Sequence, residues 1–197
     1  EESVRVIFDS MRWLGLDWDE GPGVGGPHAP YFQMQRLDTY RDHAEALIRS
    51  GHAYRCYCTK EELDASRNAL PEKKRDRWVY PGTCRDRKDA PDRPFVVRMR
   101  APSEGAITYT DLVCGEMSTP ANTLQDQVLL RTNGVPLYNF GAVVDDVTMG
   151  ITLVARGKDH LINTPPQVVL YRALGAPVPD FAHLPMMLTP KGEKMSK

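Results

Sequence analysis

The 197-residue sequence contains no run of about 18 apolar residues, so nothing in it reads as a membrane-spanning helix. It does not open with a basic and then apolar stretch either. Glu1-Glu2 begins an amphipathic segment, which argues against a signal peptide. Cysteine is scarce: there are four, two of them one residue apart. That pattern excludes a disulfide framework and leaves metal binding or reduced cytosolic thiols. Charge of one sign is missing as well. A net charge of −1 gives no global pull toward nucleic acid, so any RNA contact must come from a local patch. No internal repeat or low-complexity segment is present. What remains, 41% hydrophobic and 26% charged residues, is ordinary globular composition with enough chain for one or two domains.

Val4, Ile7, Phe8, Met11 and Leu14 recur at helical spacing and predict a helix over 3–14, ended by Gly15. A Gly/Pro loop follows from Gly21 to Pro30. Met34, Leu37, Tyr40, Ala44, Leu47 and Ile48 predict a second amphipathic helix that stops at Gly51, with Arg36 and Arg41 as its charged groups. Tyr54 to Cys58 reads as a strand. Thr59-Lys60-Glu61-Glu62 is a capping box for a helix to about Ala69. From Lys73 to Arg100 basic residues outnumber acidic ones, with Trp78 and Tyr80 among them. This is the local candidate for RNA contact through phosphate charge and stacking, set against a plain solvated loop.

Phe95 to Arg100 alternates as a strand with one wet face, and Ile107 to Val113 is another. Val128–Arg131 and Leu137–Phe140 flank the turn residues Asn133-Gly134. Val143–Val144 and Ile151–Val154 suit buried strands. Thr164-Pro165-Pro166-Gln167 reads as an N-cap with proline at the first helical position, opening a helix to Gly175.

Three groups of residues carry chemistry. Cys56 and Cys58, at i and i+2 on one strand, turn both sulfurs to one side, and Cys84 follows the Pro81-Gly82 turn. Three thiolates and one further ligand suit a tetrahedral Zn²⁺; three buried thiols without metal is the alternative. Cys114 reads as an ordinary core thiol. Arg156, at the end of a predicted strand, can grip a carboxylate through two parallel hydrogen bonds, or form a surface ion pair with Asp145 or Asp146. Tyr138 offers a phenolic donor. Finally, Lys194-Met195-Ser196-Lys197 brings together two ammonium groups and a hydroxyl, a set that suits phosphate oxygens; an exposed lysine-rich tail is the alternative.

Taken with Pro136-Leu137-Tyr138-Asn139-Phe140, Val143-Val144-Asp145-Asp146, Gly157-Lys158-Asp159-His160 and Asn163-Thr164-Pro165-Pro166-Gln167, the lysine motif resembles the second half of the catalytic domain of glutamyl-tRNA synthetases. These are a class I aminoacyl-tRNA synthetase family. Tyr31-Phe32-Gln33-Met34-Gln35-Arg36 is similar to its Tyr-Phe-Gln-Ser-Glu-Arg, and the likeness runs over nearly the whole chain. Leu137 departs from a threonine, and Lys158 from an acid.

The resemblance implies an α/β, Rossmann-like class I dinucleotide-fold catalytic domain interrupted by an inserted α+β acceptor-binding domain. Residues 1–50 would be its first part, 51–135 the insertion with a zinc site, and 136–197 the second part. It implies ATP, Mg²⁺ and structural Zn²⁺. The implied partners are L-glutamate and the acceptor end of tRNA(Glu), for a cytoplasmic monomer. Tyr138 and Arg156 would hold glutamate, and Asp159 and His160 would lie beside the ribose and adenine of ATP. Lys197 would contact phosphate, with Lys194 and Ser196 completing the catalytic loop. Among family zinc sites the fourth ligand is either a histidine two residues after the third cysteine, where Asp86 stands, or a tyrosine four residues before it, where Tyr80 stands. Cys56, Cys58, Tyr80 and Cys84 are therefore the expected set. The family's opening His-Ile-Gly-His motif and its anticodon-reading region are not in these 197 residues. The expectation is an internal piece of a larger enzyme, unable to activate glutamate alone. Two other readings stand beside it: a glutamyl-queuosine tRNA(Asp) synthetase, and a non-catalytic zinc-stabilised RNA-binding module.

Overall fold

The apolar spacing near the N-terminus produces helix α1 (Glu2–Trp13), and Gly15, at φ 68°, turns the chain out of it. In this computed structural model residues 2–186 and 189 are described, and the chain forms two compact units, Glu1–Arg36 and Leu37–Lys197. In the first unit Phe8 stacks on Trp18 at 4.8 Å. The Gly/Pro loop is organised around Glu20. Its carboxylate accepts from the His28 backbone N–H at 2.7 Å and from Tyr31 Oη at 2.7 Å, and also meets the His28 ring. Met34 falls in a short 3₁₀ turn (Gln33–Gln35), not in the following helix. Arg36, expected on that helix, precedes it and is buried, donating to the carbonyls of Pro30 and His28.

The second unit begins with α2 (Leu37–Arg49), β1 (Ala53–Cys56) and α3 (Lys60–Asn68). The Thr59 capping box is present in full, with Glu62 N–H on the Thr59 hydroxyl and the Thr59 N–H on the Glu62 carboxylate. Next come β2 (Val96–Met99), β3 (Ala106–Asp111), β4 (Gly115–Pro120) and β5 (Val128–Leu130). The chain finishes with α4 (Tyr138–Thr148), β6 (Leu153–Gly157), α5 (Thr164–Ala173) and β7 (Asp180–Leu184). No described helix is long and apolar enough to cross a membrane.

Two sheets result. One is antiparallel, in the order β1-β2-β5; the other runs β4-β3-β7-β6. In the second, β3 and β4 form a hairpin, while β6 and β7 are parallel, from Leu153 opposite Asp180 to Gly157 opposite Leu184. Helix α5 makes the crossover between them, a βαβ unit. Strand β3 joins β7 in parallel at Asp111 opposite Phe181. One core ties the layers together: Tyr40 and Leu47 from α2, Phe140, Val143 and Val144 from α4, Val168, Leu170 and Tyr171 from α5, and Leu129 and Phe181 from the sheets. Phe140 is wholly buried, and truncating such a residue to alanine costs about 3–5 kcal/mol.

Several expectations need correction. Leu137–Phe140 and Val143–Val144 are not strands: Leu137 caps α4, and the rest lie within it. Phe140, Val143, Val144 and Val147 recur at the helical period and pack on the core, so tertiary packing overrides their β-branched preference. Beyond the Asn133-Gly134 turn the expected hairpin shrinks to a single bridge, Leu130 with Pro136. The strand expected over Ile107–Val113 ends at Asp111 and returns as β4. Arg98 does not face water. It is buried, with its guanidinium 3.9 Å from the centroid of the Tyr80 ring and a hydrogen bond to the Asp126 carbonyl. Thr164 is the first residue of α5 rather than its cap; Asn163 stands at the cap without a side-chain bond. The Thr164 hydroxyl is turned into the site instead.

Candidate functional site

Arg156 sits near the C-terminal end of β6, where open α/β sheets place their ligands. It is directly opposite His183 in the β6–β7 register. The guanidinium is held on two sides. Its Nε donates to His183 Nε2 at 3.1 Å, and its Nη2 donates to Thr164 Oγ1 at 2.8 Å and to Gln167 Oε1 at 2.7 Å. Phe181 lies beneath, its ring centroid 5.7 Å from Cζ. All of these partners are neutral, and the ion pair with Asp145 or Asp146 is not formed. Among the described residues no carboxylate is paired with Arg156. Asp145 accepts from Tyr40 Oη and Asp146 from Tyr171 Oη. Burial raises the Asp146 carboxyl above its usual range. A partly buried cation with fixed donors and, among the described residues, no carboxylate in direct contact is suited to an anion.

Beneath Arg156 lies a polar pair absent from the sequence reading. His183 and Asp111 are 0% and 1% exposed. Asp111 Oδ2 is 2.5 Å from His183 Nδ1, while Oδ1 accepts from the backbone N–H groups of Val113 and Cys114. Burial pushes the Asp111 carboxyl up, but the hydrogen bonds from His183 and these amides outweigh it, holding the group well below the usual carboxylate range. Cys114, read as a core thiol, is only partly buried, with Sγ 3.9 Å from the His183 carbonyl. The signal for the pair was an acid and a histidine on the buried faces of two strands, Asp111 in step with Ile107 and Tyr109, and His183 beside Phe181 and Ala182. Gln167 and Thr164 were read as helix-start residues, which hid their inward-facing atoms.

Tyr138 opens α4 and is exposed. Its Oη lies 3.4 Å from His160 Nδ1, in the 3₁₀ segment Lys158–Asn163 that joins β6 to α5. Asn163 Nδ2 is 3.1 Å from the same nitrogen, and Thr164 Oγ1 is 3.4 Å from the His160 carbonyl. Tyr138, His160, Thr164 and Arg156 thus form one chain of contacts. Asp159 is exposed, with Oδ1 folded back against Gly157, where a Cβ would meet it at 2.5 Å. Lys194, Ser196 and Lys197 lie outside the described residues.

The cysteines gather as well. Cys58 lies beyond the end of β1, yet the sulfurs of Cys56, Cys58 and Cys84 all fall within 4.8 Å of one another. Tyr80 Oη is 3.3 Å from Cys56 Sγ and 3.8 Å from Cys58 Sγ, and accepts from the Cys84 backbone N–H at 2.9 Å. Asp86 points elsewhere, paired with Arg100 at 2.9 Å. Burial raises the Cys56 thiol, but hydrogen bonds from Tyr80 and the Cys58 backbone, with the charge of Arg98, carry it below the ordinary range. Burial and the neighbouring Cys56 push Cys58 up to about 12. Tyr80 is itself buried and its ring face is covered by Arg98, while the Trp78 indole donates to Ser66. Tyr80 is therefore not open to stack on a base.

The family description "tRNA synthetases class I (E and Q), catalytic domain" matches residues 1–197. The chain belongs to this family. It is 62% identical over 195 residues to a glutamate–tRNA ligase of Anaeromyxobacter sp. (strain K), covering 99% of this chain and 41% of that protein. A glutamate–tRNA ligase of Myxococcus xanthus is 54% identical, with 100% of this chain and 42% of that protein covered. A solved glutamate tRNA ligase from Elizabethkingia meningosepticum, in complex with its amino acid, superposes with a TM-score of 0.89 at 35% identity over 98% of this chain and 41% of that one. The chain therefore spans about two fifths of the length of these family members.

Proposed function

We propose that this chain supplies part of the active site of a glutamate–tRNA ligase. The enzyme would activate glutamate with ATP to glutamyl-adenylate, then transfer it to the 3′ end of tRNA. The observation that carries this reading is Arg156: a guanidinium immobilised by neutral groups at a strand end, with two of its N–H groups, on Nη1, unclaimed among the described residues. In this reading it grips a carboxylate of glutamate, and Tyr138 donates from the neighbouring helix start. Asp159 and His160 line the nucleotide side. Lys194, Ser196 and Lys197 bring positive charge and a hydroxyl to the phosphates, which carry Mg²⁺. Negative charge grows there as the glutamate carboxylate attacks the α-phosphate, the bond to the β-phosphate breaks and pyrophosphate leaves, so fixed cations favour the transition state.

The cysteine cluster fits zinc. A tetrahedral centre with Zn–S bonds of about 2.3 Å separates its sulfurs by about 3.8 Å. Cys58 Sγ and Cys84 Sγ are 3.7 Å apart, with Tyr80 Oη as the fourth donor. The metal would bind Cys56, Cys58, Cys84 and Tyr80 and pin the loop after α3 to β1. Residues 51–135, with Arg75, Arg77 and Lys88 exposed, would then face the acceptor end of tRNA through phosphate charge. A cytoplasmic location, with reduced thiols, belongs to the same reading. The queuosine and binding-module alternatives are not favoured, because the relatives compared are glutamate–tRNA ligases and the Arg156 cluster lies outside residues 51–135.

The test is glutamate-dependent ATP–pyrophosphate exchange in the complete ligase, with Arg156→Ala as the variant. Exchange should collapse at low glutamate while ATP binding persists. Unchanged glutamate dependence would sink the assignment.

A further inference from the structure

We infer that the buried Asp111–His183 pair is a positioning device for Arg156. It sets the imidazole tautomer and through it the direction in which the guanidinium presents its free edge. The inference rests on the proposal that Arg156 holds glutamate, and it adds residues to which that proposal gives no role.

The argument is one of donors and acceptors. Arginine has no acceptor, so the contact between Arg156 Nε and His183 Nε2 at 3.1 Å requires a bare Nε2. The ring proton then belongs on Nδ1, where Asp111 Oδ2 waits at 2.5 Å. Asp111 cannot turn away, because the amides of Val113, Cys114 and His183 hold its two oxygens. Three strands are thereby coupled in series. The turn after β3 fixes the acid, the acid fixes the ring on β7, and the ring fixes the guanidinium on β6. Thr164 and Gln167 hold the other side. With Nε and Nη2 engaged, only Nη1 is left to meet a carboxylate. A buried carboxylate beside a neutral imidazole costs desolvation and leaves a negative charge in the core, so packing alone does not call for it. Carboxylate partners behind metal-binding histidines, which orient a ring in the same way, are worth about 10- to 100-fold in metal affinity or activity.

The experiment uses the complete ligase and measures KM for glutamate and for ATP separately. Asp111→Asn keeps the shape but places an amide N–H against Nδ1, which forces the proton to Nε2 and aims it at Arg156. We expect KM for glutamate to rise by about tenfold or more while KM for ATP holds. His183→Leu should do the same. His183→Gln, which has one donor and one acceptor, should recover most of the loss. In the unsubstituted enzyme ¹⁵N spectra should show a protonated Nδ1 and a bare Nε2 at His183, a reading independent of activity. Arg156→Ala run alongside separates the two ideas. If it shifts KM for glutamate but Asp111→Asn does not, the positioning role is wrong and the assignment of Arg156 survives. If Arg156→Ala shifts nothing, the underlying assignment is wrong. A variant of Asp111 or His183 that raises both KM values equally overturns the inference whatever the tautomer. Where the variants fail to fold, the spectrum of the unsubstituted enzyme decides: a protonated Nε2 overturns the inference and a protonated Nδ1 upholds it.

Discussion

Arg156 and His183 face each other across the parallel β6–β7 pair, and the arginine Nε–H donates to the imidazole Nε2 at 3.1 Å. That geometry makes lysine a poor substitute. Lysine has one nitrogen, and it cannot bond His183, Thr164 and Gln167 while still offering a free nitrogen, as Nη1 does, to a carboxylate. Under the proposed function, Arg156→Lys should lower kcat/KM for glutamate in ATP–pyrophosphate exchange by about thirtyfold or more, equivalent to about 2 kcal/mol or more. Steady-state exchange kinetics check this; near-normal glutamate kinetics would show that charge alone suffices.

The thiol cluster predicts a metal content. The purified protein should carry about one zinc per chain, and Cys58→Ser should lose it together with thermal stability. Elemental analysis alongside a melting curve decides the matter. Tyr80→Phe is the finer probe: if it keeps a full complement of zinc, the phenol is not the fourth ligand.

Asp126 is predicted to be a stability residue with no part in the chemistry. Its carboxylate accepts from Tyr54 Oη at 2.5 Å, Arg85 Nη1 at 2.6 Å and the Ala101 N–H at 2.9 Å. Removing one partner of a buried pair typically costs about 3–5 kcal/mol. The lower end applies to Asp126→Ala, because Arg85 keeps 30% of its side chain exposed. Urea unfolding should show a reduced midpoint with an unchanged slope. A midpoint within error of the parent's would refute it.

Glu20 sets an acid limit for the N-terminal unit. Hydrogen bonds from His28 and Tyr31 draw its carboxyl from 4.5 to about 2. A depressed value means the bonds favour the folded form at all pH above about 4.5, and that this contribution disappears as pH falls toward 2. Gly26 permits the arrangement, since a Cβ there would stand 2.4 Å from Glu20 Cγ and 2.7 Å from Tyr31 Oη at a φ of 139°. An NMR titration should place the Glu20 midpoint near 2, and Gly26→Ala should move it upward. A midpoint near 4.5 in the parent would mean that the cluster does not persist in solution.

Local signals read well in this chain. The α3 capping box, the Gly15 stop and a strand before the Arg156 site are short-range chemistry, and the structure contains all three, although the strand runs Leu153–Gly157 rather than Ile151–Val154 and leaves Ile151 and Leu153 exposed rather than buried. The convergence of the cysteines was also legible, though the reason given was incomplete. Cys58 has left the strand, and the return of the chain through Pro81-Gly82 brings Cys84 to it. The failures are long-range. Val143 and Val144 look like strand residues until α2 and α5 give them a helical face to pack against. His183 and Asp111, 72 positions apart, meet only because β3 and β7 lie side by side, a pairing no local pattern encodes. Arg98 read as wet because alternation says nothing about an aromatic ring arriving from another segment to cover it.

Strand β6 lies at the margin of its sheet, and Leu153 on it and Ile151 just before it are 48% and 41% exposed. Among the described residues no strand pairs with the outer side of β6, and an exposed apolar edge is a template for β-pairing between molecules. These 197 residues, studied by themselves, should self-associate through that margin in a concentration-dependent way, and Leu153→Lys should restore monodispersity.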